Sequence, residues 1–366
     1  MLAQSPPTHR PKLNAALNIA EQFLESTQHP SAKGAPLSQP SPPGWVTDHP
    51  SKLGLKARPI HPQPQTCYPE EVHPPVNTAP PTKLRIAAIR FLNPAPLMWD
   101  FEHQPHKSEL EQRYTLEWMM PSACADRLAL PIEHPDAADI GLVPIAALAT
   151  TPGLRIVPGC AIAAKRRVRS LLLVRRASQP LAEIKTIAAD TSSKASLAYT
   201  QIMFKRWWNP EAVFLPHRPD LDAMLDIADA AMLIGDPALY ALEEQQNHEE
   251  RTGQELVYHD LAEEWIALTG VPWISAVWAI REASLAASGR TLDEIAADFT
   301  SSRDHGLANI EVLVAEWSAR MTIPASTIHT YLTSNIFYYL DEECLAGLRK
   351  FYELAGETAV LPAYNV

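Results

Sequence analysis

Apolar positions change their spacing repeatedly along this chain, and each change marks an element. Leu84, Ile86, Ala87, Ala88 and Ile89 form a short apolar run that ends at the Asn93-Pro94-Ala95-Pro96 turn, which predicts a first strand over 84–89. Similar runs predict strands over 139–143, 170–174, 184–189, 230–234 and 274–280. Helical spacing lies between them, over 193–207 and 221–227. Strands alternating with helices predict an α/β fold with a parallel, doubly wound sheet. After Glu282 the pattern reads as helix alone. Thr291 and Glu294 form a capping box, Ile310, Leu313, Val314 and Trp317 keep a four-residue stripe, and Cys344, Leu348 and Phe351 mark a last helix.

This order suits two lobes joined by strands that cross twice, near 174–176 and again near 269–273. The expected division is 83–174 with 270–366 in the first lobe and 175–269 in the second. A cleft between two such lobes encloses a small ligand on closure. Half of the 34 prolines precede Lys83. Residues 1–82 are therefore expected to be a mostly disordered extension, with one short helix over 13–24.

Composition narrows the function classes. A chain of 366 residues has room for two cores, and its net charge of −11 disfavours nucleic acid and anionic lipid as partners. No run of eighteen apolar residues is present, so no spanning helix is expected. Cys67, Cys124, Cys160 and Cys344 make no C-x-x-C pair, and the first thirty residues lack a basic segment followed by an apolar one. Reduced, mostly buried thiols in a cytoplasmic protein are the expectation.

Candidate chemistry gathers where strands end. Asn93 stands on a stiff turn after the first strand, a place where open α/β sheets bind ligands. Its carboxamide recognises well and is a poor base. Thr191, Ser192 and Ser193 precede a helix, where hydroxyls cap free N–H groups and where a carboxylate or phosphate also binds. Gly235 and Asp236 open another helix; Asp236 reads as its cap or as a cleft acid. Pro144 closes the 139–143 strand and suits a cleft wall, with core packing an equal reading. The basic run 165–169 reads as an anion attractor or a solvated loop, and Ser170 beside it as the member that faces a cleft. His103 and His106 are interrupted by Pro105, which prevents helical presentation to zinc. Nucleotide and serine-hydrolase motifs are absent from the sequence.

Together these segments resemble a known family. Phe91-Leu92-Asn93-Pro94-Ala95-Pro96-Leu97, Asp139-Ile140-Gly141-Leu142-Val143-Pro144, Val168-Arg169-Ser170, Thr191-Ser192-Ser193 and Leu233-Ile234-Gly235-Asp236-Pro237 occur in order. Asp260-Leu261-Ala262-Glu263-Glu264-Trp265, Thr269-Gly270-Val271-Pro272-Trp273 and Tyr331-Leu332-Thr333-Ser334-Asn335 follow. Over about 83–356 the chain is similar to the chorismate dehydratases of the futalosine route to menaquinone. That resemblance implies a two-lobed, type II periplasmic-binding-protein-like fold. It implies a cytoplasmic enzyme that converts chorismate to 3-[(1-carboxyvinyl)oxy]benzoate, with no metal or organic cofactor. The family's strand-end asparagine falls on Asn93, its V-x-S serine on Ser170, and its T-S pair on Thr191 and Ser192. The chain departs from the family pattern in the basic residues 165–167 and in Trp273, which stands where a phenylalanine is usual.

Chorismate is a small dianion whose two carboxylates would meet the 191–193 helix start and Ser170. The proton acceptor is left as either Asp236 or the substrate's own side-chain carboxylate. Three other readings remain: a solute-binding protein of the same fold, which calls for an export signal or lipid-anchor cysteine; a dihydroxynaphthoate synthase-like enzyme, which lacks the F-L-N-x-x-P-L opening; and a ligand-sensing domain, which calls for an attached effector module.

Overall fold

Two mixed β-sheets organise residues 83–364, which the computed structural model of the protein describes. The first sheet contains β1 (Leu84–Ile89), β2 (Tyr114–Met119), β3 (Ile140–Pro144), β4 (Leu154–Ala164), β10 (Trp273–Arg281) and β11 (Phe337–Leu340), in the order β11-β4-β10-β3-β1-β2. The second contains β5 (Leu171–Arg176), β6 (Thr186–Ala189), β7 (Val213–Pro216), β8 (Ala230–Ile234) and β9 (Leu256–Asp260), in the order β7-β6-β8-β5-β9. β3 and β8 are buried along their whole length, which is why their sequences are continuously apolar rather than alternating.

Neither sheet is purely parallel, contrary to the expectation. β1 runs parallel to β2 and β3, and β6 to β7 and β8. β5 and β10 run antiparallel to both their neighbours. These are the strands entered directly from the other sheet, so they meet their new neighbours from the opposite end. The first crossing also lies earlier than expected. β5 belongs wholly to the second sheet, so the chain crosses at 168–170 and not at 174–176. It returns after the helix Leu261–Thr269, which ends on Gly270 in the left-handed conformation (φ 75°).

Five strands, β2, β4, β7, β9 and β11, were not among those expected from the sequence, and two of them show why. β4 is the longest strand among the described residues, but Pro158 and Gly159 (φ 92°) break its alternation and its pairing with β10 shifts register there. β11 interrupts the C-terminal helices and pairs with β4; four residues are too few to show a period. The expected capping box at Thr291 and Glu294 is present, and Ile310, Leu313, Val314 and Trp317 are buried as a stripe.

One large core joins the two sheets. In β5, Leu171 and Leu173 enter it, while Leu172 and Val174 pack on the other face with Met224 and Leu225. An aromatic group ties the helix Lys194–Trp207 to β10: Tyr199 stacks on Trp273 at 3.7 Å, and its hydroxyl accepts a hydrogen bond from the Ile274 amide at 3.2 Å. Cys124, Cys160 and Cys344 are free and buried, and burial pushes each thiol up to about 12. Cys67 and the 13–24 segment lie outside the described residues. Among those described, no helix is long and apolar enough to cross a membrane.

Candidate functional site

A narrow cleft opens where strand ends and helix starts of both sheets meet. Its walls are Phe91 and Asn93 after β1, Pro144 at the end of β3, Ser170 before β5, Ser193 before the helix Lys194–Trp207, Gly235 after β8, and Ser275 in β10. About 530 Å³ of space, part of it open solvent, lies between these walls, and the cavity proper is only about 50 Å³. That core holds a few waters, so a larger ligand requires the two sheets to part. No charged side chain is among the lining residues.

Asn93 is held by its neighbours. The Ala95 amide donates to Leu92 O at 3.1 Å and the Leu97 amide to Pro94 O at 2.9 Å, which tightens the turn. The helix Leu292–Ala308 then clamps the segment from behind. Ser302 Oγ donates to Leu97 O and accepts from the Asp100 amide, both at 2.9 Å. One turn on, Gly306 lies so close that a Cβ there would stand 2.1 Å from Pro96 O. A rigid strand-end carboxamide results.

Three serines of the cleft share one feature. Ser170 Oγ accepts from Tyr331 Oη at 2.8 Å, Ser275 Oγ accepts from Trp273 Nε1 at 2.8 Å, and Ser193 Oγ accepts from the Ser196 hydroxyl at 3.0 Å. A hydroxyl has one hydrogen. With its oxygen already serving a protein donor, each serine keeps that hydrogen for an acceptor in the cleft. Burial holds the Tyr331 phenol well above its usual range, so it stays a donor to Ser170. Tyr331 starts a π-helical turn, Tyr331–Asn335, that places its ring under the crossing.

Two helices add to this field. Ser193 caps the helix Lys194–Trp207, and Gly235 (φ 70°) precedes the helix Asp236–Glu243; both N-termini point partial positive charge toward the region they line. Hydroxyl donors, a carboxamide and two helix starts suit carboxylate groups without any buried cation.

Among the residues expected from sequence, Asn93, Pro144, Ser170, Ser193 and Gly235 come together in this cleft. Thr191, Ser192 and Asp236 are not among its lining residues. Asp190 Oδ1 accepts from the Ser192 amide at 2.9 Å, and this turn carries Thr191 outward into solvent. Asp236 does not cap its helix either: Gly235 holds that position with no side-chain bond, and Asp236 is the first helical residue. Burial raises its carboxyl above the ordinary range, with no offsetting partner. The basic run is spent on ion pairs outside the cleft: Lys165 with Asp341 at 2.7 Å, Arg167 with Glu263 and Arg169 with Glu243, both at 3.3 Å. Trp273, the departure from the family pattern, is fully buried and reaches the cleft only through Ser275.

Sequence reading missed Phe91, Ser196, Ser275 and Tyr331. The strand period links Ser275 to Trp273, and helical spacing links Ser196 to Ser193; nothing local announces Tyr331, which lies 161 positions from its partner.

Solved structures share this architecture at low identity, which speaks to the fold alone. The chain is similar to protein AF1704 from Archaeoglobus fulgidus (15% identity, TM-score 0.56), covering 76% of this chain and 98% of that one. It is also similar to the periplasmic aliphatic sulphonate binding protein SsuA from Escherichia coli (16% identity, TM-score 0.53; 77% and 94%). A Candida albicans protein with the generic periplasmic binding protein fold matches at 14% identity and TM-score 0.53, over 78% and 92%. The fold is therefore that of the periplasmic binding proteins, with two sheets joined by two crossings. A family model described as menaquinone biosynthesis matches residues 84–357, most of the chain and all of the cleft, and the protein belongs to that family.

Proposed function

We propose that the protein dehydrates chorismate to 3-[(1-carboxyvinyl)oxy]benzoate within menaquinone biosynthesis. Family membership supports the pathway. The observation that carries the specific step is the trio Ser170, Ser193 and Ser275, each with its oxygen engaged and its hydrogen left for a ligand. A dicarboxylate is the kind of ligand such a donor set holds, and the neutral lining leaves no buried cation uncompensated when it departs.

The reaction removes the ring proton at the carbon bearing the enolpyruvyl ether and expels the neighbouring hydroxyl as water. It is redox-neutral, and ring aromatisation drives it. Asn93 is no base, and the serine hydroxyls are poor ones. Asp236 does not line the cleft, which favours the substrate's own side-chain carboxylate as proton acceptor. In this reading Asn93 fixes the enolpyruvyl arm so that this carboxylate reaches the proton, and positioning of that kind contributes several kcal/mol to the barrier, roughly 7–11 at most. Closure of the two sheets around the ring excludes water and completes the donor set.

The test is to incubate the purified protein with chorismate and follow the aromatic ether by absorbance and mass. Stoichiometric conversion supports the proposal. Saturable binding of chorismate with no product would indicate a solute-binding protein instead, and neither binding nor product would remove chorismate from consideration.

A further inference from the structure

The segment that carries Asn93 is anchored at its far end by a second group of polar side chains, Asp100, His106 and His305. One ligand-competent atom of each lies within 4.8 Å of the others. They come from three elements: the helices Trp99–Glu102 and His106–Arg113, and the last turn of Leu292–Ala308. None of them lines the cleft. We propose that these three residues form a binding site for a divalent transition metal of the zinc, cobalt and nickel type.

The donor geometry supports this. Both oxygens of Asp100 lie 2.9 Å from Nδ1 of His305. Two ligands at about 2.1 Å from one tetrahedral metal are separated by roughly 3.4 Å, so this hydrogen-bonded pair has to open by only about half an ångström to take an ion in place of the shared proton. The His106 ring stacks on that of His305, with centroids 4.7 Å apart and planes 15° from parallel. The carboxylate and the His305 imidazole already face one another, while the His106 ring lies parallel to that of His305 and joins them as a third ligand by turning about its side-chain bonds, which its partial exposure permits. Nitrogen-rich ligands of this hardness select borderline cations over Mg²⁺ or Ca²⁺. Asp100 is buried at 3% exposure, whereas His106 and His305 are partly open, so the ion has an entry path and water completes its sphere.

The hydrogen-bonded arrangement around Asp100 explains the consequence. The Asp100 amide donates to Ser302 Oγ, and the same serine holds Leu97 O four residues from Asn93. A metal on Asp100 and His305 would fasten this segment to the helix Leu292–Ala308 at a second point. Its role is a clamp on the strand-end turn, outside the chemistry itself. The sequence offered no hint, because His305 is 205 positions from Asp100. The visible H-x-x-H pair divides instead: His103 turns to Glu316 at 3.0 Å.

The experiment uses the full chain, stripped with chelator and titrated with Co²⁺ and Zn²⁺ by calorimetry, by Co²⁺ visible absorption and by thermal unfolding. One saturable equivalent is expected, with Tm rising by about 5 °C at a hundredfold excess over Kd and no rise with Mg²⁺. His106→Gln changes a partly exposed ring and should leave the fold intact while weakening Co²⁺ binding at least tenfold. Asp100→Asn should abolish it. Absence of a saturable equivalent overturns the proposal. Unchanged affinity in His106→Gln also overturns it, since the ion would then sit on other histidines.

Discussion

Asp260 holds Arg169 in the left-handed backbone region, one residue before the cleft serine Ser170. Its carboxylate accepts the Arg169 amide at 2.6 Å and the Val168 amide at 3.2 Å, while also capping the helix Leu261–Thr269 through the Ala262 and Glu263 amides. Arg169 has φ 64°, a conformation that costs a side-chain-bearing residue roughly 1–2 kcal/mol. One carboxylate thus fixes both the outgoing crossing and the start of the helix that leads back. Asp260→Ala should destabilise the protein by about 2–3 kcal/mol, more than an ordinary cap, because it strands four amides. Asp260→Asn, which keeps an acceptor oxygen, should lose less. Arg169→Gly should be neutral or stabilising by about 1 kcal/mol in urea unfolding, and a large loss there would show that its ion pair with Glu243 dominates.

Replacement of Asn93 by Ala should leave unfolding unchanged within about 0.5 kcal/mol, because Asn93 lines a cleft rather than a core. Turnover of chorismate should fall about 100-fold or more, with KM moving little, if the carboxamide positions the reactive arm. A rise in KM at constant kcat would assign it to ground-state binding alone.

Tyr331 and Trp273 are expected to act through the serines they donate to. Tyr331→Phe and Trp273→Phe each free a serine oxygen, so the hydroxyl hydrogen is no longer committed to the cleft. Each should raise KM for a dicarboxylate substrate several-fold, with Ser170→Ala and Ser275→Ala larger in the same direction. Ser170→Ala should also cost about 1–3 kcal/mol of stability, because the Tyr331 hydroxyl is left buried without an acceptor.

Gly306 is required by contact rather than by backbone angle. A methyl there would meet Pro96 O at 2.1 Å, which neither the helix Leu292–Ala308 nor the Asn93 turn can absorb without moving apart. Gly306→Ala should lower stability by about 3 kcal/mol despite its better helix propensity. Any activity left should be impaired more than in a surface glycine-to-alanine control such as Gly356→Ala, where nothing stands within 4 Å.

Asp236 gives a pH signature with a defined sign. Burial raises its folded carboxyl above the unfolded value near 3.9, so its contribution favours the folded state most below that value and is lost as pH rises through the folded value. At neutral pH the charge opposes folding. Asp236→Asn should therefore raise Tm at pH 7, with the difference vanishing near pH 3. Retained dehydration in this variant would exclude Asp236 as the proton acceptor; total loss with chorismate still bound would make it the base.

The sequence by itself determined the local grammar of this protein. β3 and β8 are readable because burial on both faces demands uninterrupted apolar residues, and the 291–294 capping box because helix starts are satisfied within one turn. Asn93, Ser193 and Gly235 were legible as well, since strand-end and helix-start positions carry their own residue chemistry. Tertiary structure alone decided the rest. β4 loses its period at Pro158 and Gly159 yet is completed by pairing with β10 and β11, and β5 joins the second sheet through partners some sixty to ninety positions away. The hydrogen of Ser170 is directed by Tyr331, the turn of Asn93 by Gly306, and Asp100 finds His305, all across the fold. Period and capping are properties of neighbours along the chain; which hydroxyl donates, and to what, is settled only when distant segments are packed within 3 Å of one another.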